Sequence, residues 1–169
     1  MSDPEIVAFV PGLDALADHE LREHAFKLRR LIPGSHLQQM RGSAWSSGKL
    51  TAQEWRLQSM SALDYAVDVA TEGNYPDRRY WFTILEQGGE IDWHDHSQAQ
   101  SALIYWPGIQ AEEFEFIGGQ VEFEKPPLLV RPLPGRMVFF RSTRPHRVLQ
   151  HQGGPPRVSI SANLSGKFP

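Results

Sequence analysis

The 169-residue chain has no cysteine, so disulfides and thiolate metal ligands are excluded, and a reducing compartment is the natural setting. No stretch approaches the 18 or so consecutive apolar residues of a membrane-spanning helix. Asp3, Pro4 and Glu5 stand where a signal peptide would carry a basic start followed by an apolar run. The expectation is therefore a cytoplasmic protein with no membrane association. Charge of one sign is also lacking: 17 basic residues against 20 acidic ones leave a formal net charge of −3. That offers no footprint for nucleic acid or anionic lipid. Internal repeats and low-complexity tracts are missing as well. What remains, 40% hydrophobic and 22% charged residues, is the composition of one ordinary globular domain spanning 1–169.

The texture changes along the chain. From about Leu13 to Ile32, Leu21, Ala25, Leu28, Leu31 and Ile32 recur at helical spacing, and Pro33-Gly34 stops the pattern. His19 and His24 on this helix read as solvated. After a polar loop, Gly42 to Gly48, a second helix is expected over Thr51–Glu72. Thr51 followed by Glu54 is a capping-box pattern, and Leu63, Ala66, Val67 and Ala70 form an apolar stripe ending at Gly73. Beyond Pro76 come short runs rich in β-branched and aromatic residues: Arg79–Leu85, Gln100–Trp106, Gln120–Glu124, Leu128–Val130, Met137–Phe140, Arg147–Gln150 and Arg157–Ala162. Gly and Pro clusters punctuate them. The expected fold is mainly β: a jelly roll (double-stranded β-helix) over 76–169, flanked by about two helices, with 1–75 as helical support.

The densest chemistry lies in a few residues. His94 and His96 are two apart, His146 follows 50 residues after His96, and Arg157 comes 11 later. On a strand, side chains two apart share a face, so His94 and His96 project together while Trp93 and Asp95 face the other way. Such a pair can chelate one ion, and imidazole suits iron, zinc, copper and nickel. Asp92 shares that face and is placed to fix a histidine tautomer from outside the ligand sphere. A turn at Gly153-Gly154 would fold Arg147–Gln150 back onto Arg157–Ala162 as a hairpin. His146 and Arg157 would then lie roughly 13 Å apart at about 3.3 Å per residue, a gap suited to a short diacid. Arg157 and Ser159 share a face, and a guanidinium pairs with a carboxylate in bidentate fashion.

These motifs have a joint context. Pro132 to Gly135 precedes the strand ending in Phe139-Phe140, a short polar link leads to His146-Arg147-Val148, and Arg157-Val158-Ser159 follows. Upstream stand Trp81 to Leu85, Gly88-Gly89, His94-x-His96, Ser101 to Trp106 and Gly118 to Phe123. Over residues 79–164 this set resembles the Fe(II)/2-oxoglutarate-dependent oxygenases, particularly their prolyl-hydroxylase-like bacterial branch. The resemblance implies Fe(II) held by His94, His96 and His146. It implies 2-oxoglutarate as co-substrate, its far carboxylate on Arg157 and Ser159. Tyr80, Tyr105 and Trp106 stand open between core filling and bordering the co-substrate, with Tyr105 taken for that role. The resemblance further implies an oxidoreductase that hydroxylates a small-molecule or peptidyl substrate while 2-oxoglutarate becomes succinate. One position departs from the pattern: the usual triad reads His-x-Asp…His, and here the middle residue is His96.

Two rivals remain at this level. Gly88 and His94-x-His96 also fit the opening of a cupin motif, which next wants a glutamate where this chain has Gln100 and Ser101. The second cupin motif wants its histidine much nearer its glycine than His146 is to Gly135. A non-enzymatic β sandwich with aromatic filling and incidental histidines is the other. Trp81, Phe82, Phe116, Phe123, Phe139 and Phe140 read as core. The acidic cluster Glu112, Glu113 and Glu115 reads as a solvated edge. Substrate identity and oligomeric state have no signature in the sequence.

Overall fold

The computed structural model describes residues 6–33, 39–109, 116–125 and 127–166. The acidic cluster Glu112, Glu113 and Glu115 lies outside the described residues. Three helices precede the long strands: α1 (Ala15–Leu31), α2 (Ala52–Trp55) and α3 (Gln58–Ala70). Among the described residues no helix is long and apolar enough to cross a membrane.

Asp14 starts α1, its carboxylate accepting from Ala17 N at 2.7 Å. Leu21 and Ala25 are fully buried, but Leu31 is 69% exposed and Ile32 49%, so the apolar stripe does not stay covered to the end of the helix. His24 is not solvated: its ring packs on Trp55 and Phe82, and burial lowers its pKa. The single helix expected over Thr51–Glu72 is two. The capping box of Thr51 and Glu54 forms in both directions, yet Arg56 adopts a left-handed conformation, φ 55°, and closes α2 after one turn. The break lets Trp55 donate to Tyr80 O at 3.0 Å while α3 turns to bury Met60, Leu63 and Val67. Fully burying one such side chain contributes about 1.5–3 kcal/mol, so the three together outweigh a non-glycine left-handed residue at about 1–3 kcal/mol. Lacking a cap of its own, α3 borrows one. Glu20 of α1 accepts from Ser59 N at 3.1 Å and from Ser59 Oγ at 2.6 Å.

The strands form two main sheets. One has the order β1 (Val7–Phe9), β10 (Met137–Arg141), β6 (Ser101–Tyr105), β13 (Arg157–Ser165), β4 (Asp77–Leu85), β3 (Ala44–Ser46). The other runs β2 (Met40–Arg41), β5 (Glu90–His94), β11 (His146–Val148), β8 (Val121–Phe123), β9 (Leu128–Val130). A small third sheet pairs β7 (Ile117–Gly118) with β12 (His151–Gly153). The N-terminal half is therefore not helical support alone: β1, β2 and β3 extend the edges of both main sheets.

The six-stranded sheet has an apolar face toward the helices, with Tyr80, Phe82, Leu103, Tyr105, Val158 and Ile160 packed on Leu21, Met60 and Leu63. Its other face meets the five-stranded sheet through Leu85, Ile104, Trp106, Phe123, Val138, Phe140 and Val148. On β13 that inner face departs from apolar filling: Arg157, Ser159, Ser161 and Asn163 alternate with buried Val158, Ile160, Ala162 and Leu164.

The expected hairpin across Gly153-Gly154 does not form. β11 pairs with β5 and β8, whereas β13 pairs with β4 and β6. The chain crosses between sheets at that turn, so His146 and Arg157 lie on opposite layers and approach across the sandwich rather than along one ladder.

Candidate metal centre and anion site

His94 is the last residue of β5, and His146 the first of β11, directly opposite it in register. His96 lies two residues beyond the end of β5, held by its own backbone N donating to Ser142 O at 2.6 Å. The three rings converge: one ligand nitrogen from each falls within 4.8 Å of the others. His96 Nε2 and His146 Nε2 are 3.3 Å apart. Imidazole nitrogens bound at about 2.0–2.1 Å to one divalent ion lie about 3 Å from one another.

The tautomers suit ligation. His94 Nδ1–H donates to Asp92 O at 2.7 Å, and His146 Nδ1–H donates to Arg144 O at 3.0 Å. A carbonyl can only accept, so both Nε2 atoms present lone pairs. His96 Nε2, 3.3 Å from His146 Nε2, is close enough to share one cation with it. Burial first, then the neighbouring histidines, holds His96 down to about 4 and His146 down to about 3, so both rings are neutral at pH 7 and free to act as donors. Phe140 and Phe123 wall off His146, with centroids at 4.7 and 5.6 Å. By donor set, spacing and protonation the cluster fits Fe(II) or another divalent transition metal.

Asp92 contributes its backbone and not its carboxylate, which turns out to Arg41 at 3.0 Å. Asp95 is exposed, and its carboxylate accepts from Ser97 N at 3.1 Å. Trp93, 39% exposed, stacks outward under Arg147.

A cavity of about 210 Å³ joins the three histidines to Arg157, Ser159 and Ser161 of β13 and to Trp81 and Thr83 of β4. Ligand pockets for drug-sized molecules run to about 300–1,000 Å³, so the enclosed part of this one is small. A larger, open groove of about 750 Å³ beside Phe9, Tyr75 and Phe139 holds no histidine and lies away from this chemistry.

Arg157 is 1% exposed, and its Nε and Nη1 have no hydrogen-bond partner. No carboxylate of the described residues pairs with it, and burial alone brings its pKa down to about 9. Its guanidinium lies 5.5 Å over the Trp106 ring, and the buried Trp106 Nε1 is also unpartnered. Gly119, φ +67°, makes room for the arginine stem: a Cβ there would stand 3.0 Å from Arg157 Cδ. A buried cation and a buried indole N–H, both without a hydrogen-bond partner among the described residues, are the kind of groups an anion would satisfy.

Tyr105 is not part of it. Its hydroxyl donates to the buried Asp18 at 2.5 Å on the helix side of the sheet. Adjacent residues of a strand point to opposite faces, so Trp106, one position on, is the aromatic beside the arginine. Sequence reasoning also missed Trp81, read as core. It is buried, yet it lines the cavity with its ring 5.6 Å from His96. Lys49 at the cavity mouth carries no sequence signal at all.

No protein-family profile and no curated protein sequence matches the chain. Solved structures do. A Pseudomonas putida prolyl-4-hydroxylase superposes with a TM-score of 0.69 at 17% identity, covering 97% of this chain and 94% of that one. A prolyl hydroxylase from Trichoplax adhaerens, solved with a hypoxia inducible factor peptide fragment, gives 0.72 at 16% identity, covering 96% and 84%. A viral collagen prolyl hydroxylase from Paramecium Bursaria Chlorella virus-1, solved with 2-oxoglutarate, gives 0.64 at 12% identity and covers 95% of each chain. The fold is thus the jelly roll shared by 2-oxoglutarate- and Fe(II)-dependent oxygenases.

Proposed function

We propose that the chain is an Fe(II)- and 2-oxoglutarate-dependent oxygenase that hydroxylates a small-molecule or peptidyl substrate. The observation that carries this reading is Arg157: a buried guanidinium without a counter-ion among the described residues, on the wall of the cavity that also holds three imidazoles. In this reading His94, His96 and His146 hold the metal. Arg157 pairs with the far carboxylate of the diacid, and Ser159, two residues along the same face of β13, supplies a hydroxyl. Fe(II) with 2-oxoglutarate supplies oxidative decarboxylation to succinate and CO2, coupled to insertion of oxygen into a substrate C–H bond.

The chain's own residues orient and shield. The carbonyls of Asp92 and Arg144 fix two rings as Nε2 ligands. Phe123 and Phe140 exclude water from the metal side, and Trp106 closes the arginine end. Low dielectric around Arg157 strengthens its pull on a carboxylate. The three-imidazole donor set favours one rival, a cupin-like metal site that ignores 2-oxoglutarate, but that rival leaves Arg157 without a partner. Anaerobic titration of the Fe(II)-loaded protein with 2-oxoglutarate decides. A visible charge-transfer band, with succinate released once air is admitted, is expected. Iron bound without either signal would end the oxygenase reading.

A further inference from the structure

The mouth of the metal cavity is shaped by an irregularity in β-pairing. Ser46 pairs with Thr83, and Leu50 forms a bridge with Tyr80. Four steps on one strand thus match three on the other. The extra residue is a bulge, in which Gly48 and Lys49 together oppose Trp81. The backbone is tied on both sides of it: Ser47 N donates to Phe82 O at 2.9 Å, Leu50 N to Tyr80 O at 3.0 Å, and Tyr80 N to Leu50 O at 2.8 Å. Bulges beside active sites re-aim one side chain. Here the side chain is Lys49, whose ammonium lies 4.5 Å from the Trp81 ring centre. Trp81 in turn faces His96.

Lys49 lines the same cavity as the histidines, and among the described residues no carboxylate forms an ion pair with it. Its residue surface is exposed, yet burial of the charged end lowers its pKa. Asp95, on the same rim, is spent on Ser97 N and does not pair with it. A lysine placed by a bulge, seated on an aromatic face and left without a counter-ion, is built to receive an anion from outside.

Taking the oxygenase reading as given, we infer that Lys49 sets substrate specificity, pairing with a carboxylate of the substrate while an apolar segment lies between Trp81 and the metal. A monoanion suits the rim better than a phosphate dianion, because Lys49 is a single charge and Asp95 would repel the second one. The diacid co-substrate has its own cation in Arg157, on the inner wall.

The test uses the full chain loaded with Zn(II) and 2-oxoglutarate, which blocks turnover, and reads binding by calorimetry. The probes are N-acetyl amino acids with apolar side chains, proline included, each matched with its neutral amide. Carboxylates should bind at least roughly 10-fold tighter than their amides, as for a half-exposed charge pair on an aromatic face. Lys49→Met should erase that preference, and Lys49→Arg should keep it. Equal binding of acids and amides, a preference that survives Lys49→Met, or no binding of any probe would overturn the inference. In the same preparations 2-oxoglutarate affinity reports separately. If the wild type binds none, the oxygenase reading fails. If Lys49→Met weakens 2-oxoglutarate itself, Lys49 belongs to the co-substrate site and the inference is lost.

Discussion

Replacing Arg157 by methionine separates a ligand-binding cation from a structural one. Methionine reproduces the apolar stem that passes Gly119 and removes the charged head. In the ligand-free protein that head is buried without a hydrogen-bond partner for Nε or Nη1, a destabilising arrangement. The loss from its removal is confined to the cation–π contact with Trp106, about 0.5–2 kcal/mol. Ligand-free Arg157→Met should therefore melt within a few degrees of the wild type, or above it. Had the arginine belonged to a buried structural ion pair, deletion would cost about 3–5 kcal/mol. That corresponds to a Tm drop of roughly 6–20 °C for a domain of this size. With 2-oxoglutarate the order inverts. Truncating one partner of a buried charge pair costs about 2–5 kcal/mol, so affinity should fall about 30- to 5,000-fold at 1.36 kcal/mol per decade. Calorimetry on the metal-loaded protein gives the affinity, and thermal melts with and without the diacid give the stability. A large Tm loss in the absence of ligand, with 2-oxoglutarate affinity unchanged, would refute the assignment.

Other outcomes follow from the same geometry. His146→Ala should abolish stoichiometric metal binding, measured by metal content after dialysis, whereas His96→Asp should retain it because a carboxylate is a competent donor at that position. Tyr105→Phe leaves the buried Asp18 without its hydroxyl donor and should cost roughly 1–3 kcal/mol in denaturant unfolding. The same variant should leave 2-oxoglutarate affinity unchanged, since Tyr105 faces the helices, and a weakened affinity would restore it to the site. The metal-free protein should lose stability in acid. His96 and His146 are held at about 4 and about 3 when folded but protonate near the usual 6.5 when unfolded. Below 6.5 the unfolded chain thus binds more protons, and stability, full above that value, falls as the pH drops toward 4. Urea midpoints between pH 7 and 4 should show this decline, less steeply for His146→Gln, and a flat profile would contradict the burial of these rings.

What was legible in the sequence follows a physical divide. Periodicity within one strand carries through for Arg157 and Ser159, which share a face of β13 and reach one cavity. His94 and His96 also converge, but β5 ends at His94, and the bond from His96 N to Ser142 O rather than strand alternation holds the second ring. Relations between strands do not carry through. The Gly153-Gly154 turn looks like a hairpin, but a jelly-roll crossover uses the same turn residues, and only the pairing partners of β11 and β13 distinguish the two. A single step of parity also misled. Tyr105 and Trp106 are equally aromatic, and nothing local says that the odd residues of β6 face the helices. Lys49 was invisible because its position depends on a bulge, and a bulge is defined by register against β4.

The departure at position 96 also has a structural explanation. His96 sits past the end of β5, and its backbone is fixed by the bond to Ser142 O. That bond sets the backbone independently of the side chain, so an imidazole can stand where the resembled triad has a carboxylate. What changes is charge. Three neutral imidazoles would leave a divalent metal wholly uncompensated, and the inner wall of the cavity adds Arg157, unpaired with any carboxylate among the described residues. Asp95 is the one acidic residue of the described lining, and it is exposed at the rim. Such a cavity is more positive than one built on a His-x-Asp triad, and a dianionic co-substrate offsets more of that charge than a neutral one can. His96→Asp should accordingly weaken 2-oxoglutarate binding while keeping the metal. Tighter binding in that variant would show that the extra positive charge plays no part in holding the diacid.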